Sequence, residues 1–340
     1  MGVAIGAGHR SVARHSALSL AAAAIVALSA GSVTALERQP LEPRMRIIEN
    51  FRPAPQDGDR LDFRGGLVLR GERDLDGLSG MIADGNEVLM VSDFGHWVGG
   101  RLQIEDGRLT GFTDVWRAPM RLEDGSIAAG KEDGDAESLA LRGDEIVVTF
   151  ERPGRALSYR KADGDWAPDD TTPTLLSNLR QDFGPQHNLP EAAFFDPDGN
   201  VVIINEEPTY RDGARVVRLP SKLFAVALQD PWRVTGADLG PAGDLFIVER
   251  RYEGGTDVGM RVRRIGTETM ARSVWDGPVL IEGDFSDEID NMEAITAVDD
   301  DGEIAITIVS DNNANIVQRG LILRFVVSDP LPQPNPMRRP

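Results

Sequence analysis

The chain contains no cysteine and only four histidines and three tyrosines in 340 residues. Without cysteine it is neither a disulfide scaffold nor a thiol enzyme, and no lipoprotein anchor can be attached. Positive charge is also scarce, with 36 Lys and Arg against 55 Asp and Glu and a formal net charge of -19. Such a field repels nucleic acid and anionic lipid, so the expected partners are cations, neutral molecules, or anions brought in by a bound metal. Long apolar runs are nearly missing. The longest, Ala17 to Ala30, has 14 residues, short of the roughly 20 that span a bilayer. It follows His9, Arg10, Arg14 and His15 with no acidic residue, and small residues stand at Ala30 and at Val33-Thr34-Ala35. Residues 1–35 therefore read as a secretory signal peptide cleaved after Ala30 or Ala35. Removing Arg10 and Arg14 with it leaves 34 basic against 55 acidic residues, about -21. Export without cysteine suits a bacterial periplasm, so a secreted or periplasmic monomer with no membrane span is expected.

Helical periodicity of useful length is absent as well. What is present is a unit that recurs five times: a polar or acidic residue, a short apolar strand, a Gly/Asp turn, a second apolar strand and a closing acidic residue. The copies run from Leu78 to Asp93, Ala136 to Glu151, Pro190 to Glu207, Thr235 to Arg250 and Met292 to Asp311. Their anchors, Ser79, Glu137, Glu191, Thr235 and Glu293, are spaced by 58, 54, 44 and 58 residues, close to the period of one four-stranded propeller blade. Further strand-like runs lie between the copies, among them Arg101 to Ile104, Phe112 to Trp116, Ala156 to Arg160 and Arg261 to Ile265. The expected fold is an all-β propeller over residues 61–327. It has five four-stranded blades, or six if Leu61 to Arg70 and Leu321 to Val327 make one more, and those two segments are expected to pair and close the ring. Residues 36–60 read as a polar extension broken by Pro40, Pro43, Pro53 and Pro55, and residues 328–340 as a loose Pro-rich tail.

The paired strands of each copy form a hairpin, so the start of one and the end of the next lie at the same end of the blade. One mouth of the channel should then carry two polar rings. The first holds Ser79, Glu137, Glu191 and Glu293. The second holds Asp93, Glu151, Glu206 or Glu207, Glu249 and Asp311, with Asp76, Asp135, Asn188, Asp290, Asn291, Asn312 and Asn313 adding oxygens. The opposite mouth receives only turns, such as Ala83-Asp84-Gly85 and Asp299-Asp300-Asp301-Gly302. So many carboxylates on one mouth repel unless protonated, paired or bridged by metal. A hard cation such as calcium takes six to eight oxygens and needs no thiol. The bland alternative pairs them with Arg152, Arg250 and Arg251, or leaves them in solvent. The residues expected to hold a divalent metal are Glu137, Glu191, Glu293, Asp93, Glu151, Asp311 and Asn291.

These motifs resemble the family described as the esterase-like activity of phytase, a phytase-like propeller domain. The matching stretches are LSGM to VSDFG (Leu78 to Gly95), DAESLAL (Asp135 to Leu141), HNLPEAAF with NEEP (His187 to Pro208), FIVERRY (Phe246 to Tyr252), and DNMEAI through the final LILRF (Asp290 to Phe325). Ser138, Ala192 and Ala294 stand where the family's glycine after the repeated Glu is expected, and Pro190 where a glycine is common. The resemblance implies kinship with propellers that use calcium to screen an acidic mouth and hold substrate phosphates for attack by water. A cation there also lowers the pKa of a bound water.

Glu191, His187 and Glu137 are accordingly the catalytic candidates, His187 as a general base or phosphate donor, and Arg250 and Arg251 the substrate-binding candidates. Gly125 to Lys131 has the spacing of a phosphate-binding loop, but Glu132 occupies the hydroxyl position and no helix context follows, so it reads as an inter-strand loop. Gly77-Leu78-Ser79-Gly80-Met81 lacks the last glycine of a nucleophile elbow, which argues against a serine esterase. The five tryptophans, about one per blade, read as packing. The leading function is metal-dependent hydrolysis of a small phosphate ester. The alternatives are a calcium-dependent lactonase or carboxylesterase, and a non-catalytic binding module using the same metal-stabilised face.

Overall fold

The computed structural model describes residues 36–328 apart from 55, 71–74, 185–189, 211–212, 221 and 316. The expected signal peptide, the tail from residue 329, and His187 with Asn188 lie outside the described residues. Five antiparallel sheets follow one another along the chain. Blade I consists of Leu78–Asp84, Glu87–Ser92, His96–Glu105 and Arg108–Pro119, and blade II of Ala136–Arg142, Glu145–Phe150, Arg155–Arg160 and Thr174–Asn178. Blade III runs through Pro190–Phe195, Val201–Tyr210, Gly213–Arg218 and Lys222–Ala227, and blade IV through Arg233–Leu239, Leu245–Gly254, Asp257–Ile265 and Val279–Asp284. Blade V takes Asn291–Asp300, Glu303–Asp311 and Gly320–Val327 from the end of the chain and Leu61–Arg70 from its beginning. The expected closure is thus an antiparallel pairing in which Leu321 faces Val68 and Val327 faces Leu61. It completes the fifth blade, and no sixth sheet forms among the described residues.

The first strands of the blades contact one another in a closed ring, I to II to III to IV to V and back to I. A sheet stacked between two others buries both faces, which is why the second strands read as continuous apolar runs. Val88 to Val91, Ile146 to Val148, Val202 to Ile204, Leu245 to Val248 and Ile304 to Ile306 are all nearly or fully buried. The core divides into five clusters, each between two successive blades. Trp97 of blade I, for example, packs edge-on against Tyr159 of blade II at 5.0 Å, and Trp275 is fully buried against blades III and IV. Among the described residues α-helix is confined to three single turns, Lys131–Gly134, Leu179–Phe183 and Thr267–Met270.

Two features differ from the sequence reading. The stretch before residue 61 is more than a polar extension: Gln39–Pro40 adds an outer strand to blade I and Arg44–Ile48 one to blade V. Val274–Trp275, which follows blade IV's third strand, pairs in parallel with the outer strand of blade III. Gln39–Pro40 and Val274–Trp275 are two residues each, too short for hydrophobic patterning to resolve, and Arg44–Ile48 is exposed over all but its last residue. The turns at the far mouth also do more than expected. Asp300 holds Arg324, itself buried, at 2.6 Å, and Asp196 is buried against Arg218 at 2.8 Å.

Candidate metal and substrate site

Each blade's first strand breaks register at the repeat anchor. The ladder skips one residue between Leu78 and Gly80, Ala136 and Ser138, Pro190 and Ala192, Val234 and Gly236, and Met292 and Ala294. Ser79, Glu137, Glu191, Thr235 and Glu293 are therefore five equivalent bulge residues. A bulge frees one residue from the ladder and re-aims its side chain, so the repetition gathers the anchors at one end of the ring. The residue after each bulge packs on its counterpart in the next blade. A Cβ on Gly80 would lie 2.7 Å from the Ser138 Cα, and one on Gly236 would lie 3.1 Å from the Ala294 Cα. Glycine at these two positions of blades I and IV lets the backbone approach the Ser138 and Ala294 backbone of the next blade.

The two hydroxyl anchors are structural. Ser79 donates to the Gly77 carbonyl at 3.1 Å. Thr235, fully buried, donates across the blade IV–V boundary to the Met292 carbonyl at 2.7 Å. Losing such a bond costs about 1–2 kcal/mol. Thr235→Val is thus expected to lower the melting temperature by a few degrees while leaving cation binding intact, as thermal unfolding with and without calcium would report.

The three carboxylate anchors form the acidic centre. Glu191 is buried, and its carboxyl is pushed well above the ordinary range by that burial and then by the charges of Glu137, Glu206 and Glu293. Glu137 is raised in the same way, by burial and then by Asp135, Glu293, Glu151 and Asp93. Burial carries Glu293 to about 7 even though Arg250 pulls it down. Arg250 joins the rings: it donates to Glu293 at 2.7 Å, to Glu206 at 3.1 Å and to the Asn291 side-chain oxygen.

Asp135, Glu137 and Glu151 each place a carboxylate oxygen within 4.8 Å of the others. The backbone sets this up: the Glu151 amide donates to the Asp135 carbonyl at 2.8 Å, as the Asp93 amide does to the Gly77 carbonyl at 2.9 Å one blade earlier. Burial and the neighbouring Glu151 carboxyl raise Asp135 to about 7. Arg152 reaches over the pair, its Nε 3.3 Å from Asp135 and its Nη2 3.2 Å from Glu151. In blade I, burial carries Asp93 to about 6 against the pull of Lys131, which is ion-paired with it. One Asp93 oxygen is buried with no hydrogen-bond partner. Asp311 accepts from the Gly77 and Asn313 amides, both at 2.8 Å, and Asn312 donates to Asp76 at 2.6 Å. All-oxygen donors, a carboxylate triad and an orphaned buried oxygen are what a hard divalent cation satisfies. The residues present fit such an ion.

Other sequence candidates sit differently. Glu249 is fully buried between Arg261 and Arg263 inside blade IV and contributes nothing to the mouth. It follows the opposite face of the strand from Arg250, a consequence of the period of two. Arg251 turns outward to Asp257 at 3.3 Å and lies 5.4 Å from the Trp232 ring centre. Arg250 and Arg251 together line a groove of about 1300 Å³, with Glu206, Asn291 and Arg319 and with the largely exposed rings of Tyr252 (67 %) and Phe285 (64 %). In the sequence Asp135 is a neighbour of the acidic ring and Lys131 ends the Gly125 to Lys131 loop, and no repeat or spacing marks the groove. Asp135 precedes the repeated strand by one residue, the one signal that could have promoted it.

A family model described as phytase-like, the esterase-like activity of phytase, matches residues 73–314. No curated protein sequence matches the chain. Among solved structures, the chain is similar to an endo-arabinase from Bacteroides thetaiotaomicron, with 11 % identity, 76 % of this chain and 95 % of that one covered and a TM-score of 0.43. It is also similar to the PQQ-bound aldose sugar dehydrogenase from Streptomyces coelicolor, with 12 % identity, coverage of 84 % and 100 %, and a TM-score of 0.41.

Proposed function

The chain belongs to the phytase-like family, the esterase-like activity of phytase, and we propose that it is an exported, divalent-cation-dependent hydrolase of phosphate esters. The observation that carries the reading is the Asp135, Glu137 and Glu151 triad, with carboxylate oxygens within 4.8 Å of one another, set among the buried carboxyls of Glu191 and Glu293. Calcium is the ion its all-oxygen chemistry favours. When bound there, the ion would offset the negative charge of the mouth, attract an ester's phosphate oxygens and acidify a nearby water.

The remaining roles fall to the chain's own side chains. Arg250 holds Glu293 and Glu206 at fixed positions. Glu191, buried among carboxyls that disfavour its ionisation, is placed to hold or pass on a proton, with His187 the proposed proton carrier from sequence. Asn291 orients Glu293 by donating to it. Asp93 and Asp311 close the acidic ring on the blade I side. The groove lined by Arg250 and Arg251 takes the alcohol portion of the ester, and its volume favours a bulky one. Tyr252→Ala is accordingly expected to raise KM for a bulky ester roughly five-fold, about 1 kcal/mol, with kcat little changed. Steady-state kinetics against a small and a bulky ester would check this.

A calcium-dependent lactonase or carboxylesterase is the second reading, since the same acidic face could polarise a carbonyl. Arg152 and Lys131, cations beside the acidic centre, favour an anionic substrate. The deciding experiment assays the purified protein, with calcium and with EDTA, on a phosphomonoester, phytate, a carboxylester and a lactone. Calcium-dependent release of phosphate supports the proposal. Turnover of the lactone or carboxylester alone transfers the site to the second reading, and inactivity on all four despite calcium binding leaves a binding module.

A further inference from the structure

Arg152 stands where the proposed cation would. Its guanidinium lies 3.3 Å from Asp135 and 3.2 Å from Glu151, two of the three carboxylates in the triad. A guanidinium and a divalent cation compete for these carboxylates, because like charges repel and Arg152 already reaches both Glu151 oxygens. The pairing is also incomplete. The Asp135 oxygen that faces Arg152 is buried but makes no hydrogen bond, so that contact is an ion pair without the alignment of a seated fork. The Arg152 side chain is 59 % exposed while that of Asp135 is 3 % exposed. One partner can leave for solvent and the other cannot.

The base of this arm is fixed. Arg152 lies in the turn between Glu145–Phe150 and Arg155–Arg160. Arg155, buried, donates to the Arg152 carbonyl at 3.0 Å, to the Pro153 carbonyl at 3.2 Å and to the Asp133 carbonyl at 2.7 Å. The backbone is held over the mouth while the guanidinium is free to change partners.

Resting on the metal reading above, we propose that Arg152 is a place-holder that couples cation binding to anion binding. With no cation present it offsets one of the two negative charges that Asp135 and Glu151 carry when ionised. A divalent cation taking the triad displaces it, and the released guanidinium, still tethered at the mouth, then grips the anionic group of the substrate. No covalent step is involved: the cation adds two positive charges to the mouth while the tethered guanidinium stays there, and the arriving anion offsets them. Lys131 gives the internal comparison. It is a cation at the same mouth, but its partner is Asp93, which lies outside the triad.

The consequence is a pair of opposite effects from one substitution. Arg152→Gln removes the competitor, so calcium should bind about five-fold tighter, the scale of one partly exposed ion pair. The same variant, saturated with calcium, should bind inorganic phosphate about ten-fold more weakly, because the released grip is gone. Lys131→Gln controls for the loss of one positive charge and should strengthen calcium binding less than Arg152→Gln does, because Lys131 pairs with Asp93 and not with the triad. The experiment is calorimetric titration of calcium into the three proteins, then of phosphate into each calcium-saturated form, with thermal unfolding to confirm that all are folded. If Arg152→Gln leaves calcium affinity unchanged, or strengthens it no more than Lys131→Gln does, or leaves phosphate affinity unchanged, the place-holder role is overturned while the cation site stands. If the wild type binds no calcium, the metal reading itself fails.

Discussion

In the presence of EDTA the protein is expected to be more stable at pH 5 than at pH 8, and calcium is expected to remove most of that difference. The direction follows from the mouth's carboxyls. Burial holds Asp93 near 6 and Asp135 and Glu293 near 7, and Asp238, buried behind the blade IV–V boundary and accepting from the Ala297 amide, also near 7. In the unfolded chain the same groups titrate near 4. Between those values the native state binds more protons than the unfolded state, so unfolding free energy falls as pH rises. The stability is fully present below about pH 4 and is lost as pH passes through 6 to 7. A carboxyl displaced as far as Asp93 accounts for on the order of 3 kcal/mol, and coupled neighbours add less than their separate shifts. For a chain of this size that corresponds to a melting temperature lower by roughly 5 °C or more at pH 8. A bound cation replaces the protons, so its stabilising effect should grow with pH. Scanning fluorimetry at pH 5, 6.5 and 8, with EDTA and with calcium, tests both parts. An EDTA melting temperature that rises from pH 5 to pH 8 would mean that these carboxylates are satisfied by Arg152, Arg250 and Lys131 alone.

The fold was legible because its determinant is repetition. Five strand pairs with a polar anchor at near-constant spacing can bury their faces only against each other, and the pairing of Leu61–Arg70 with Gly320–Val327 follows from needing to close that ring. The anchors' convergence was legible for the same reason, since equivalent residues in equivalent strands share one end. The bulge that aims them was not, because a one-residue break in register leaves no mark on hydrophobic alternation. Charge partners were the least visible. Glu249 and Arg250 are adjacent in sequence, yet one is buried against Arg261 and Arg263 while the other reaches Glu293 and Glu206. Which carboxylate meets which cation depends on inter-blade loops such as the Arg152 turn and the Lys131 segment, whose paths no periodicity encodes.

Glu191→Gln should produce the largest functional loss together with a gain in metal-free stability. Glu191 is buried, and the nearest charges acting on it are mainly the carboxylates Glu137, Glu206 and Glu293, with Arg250 the opposing cation. Glutamine keeps the shape and removes a buried anion that its surroundings repel, so the EDTA-treated variant should melt higher than wild type at pH 8. The same change removes a group placed to carry a proton and reduces the negative charge available to a cation. Hydrolysis should therefore fall on the order of 100-fold, the scale of one general acid or base, and calcium should bind more weakly. Asp84→Asn, in an exposed turn at the opposite mouth, should change neither. Asp300 is unsuitable as that control, because its removal would leave the buried Arg324 unpaired. The measurements are kinetics with the phosphomonoester, calcium titration, and unfolding in EDTA at pH 8. Full activity in Glu191→Gln combined with loss in Asp84→Asn would place the functional face at the other end of the propeller. A lower metal-free melting temperature in Glu191→Gln would show instead that the Glu191 carboxyl is a net stabilising partner in the ring.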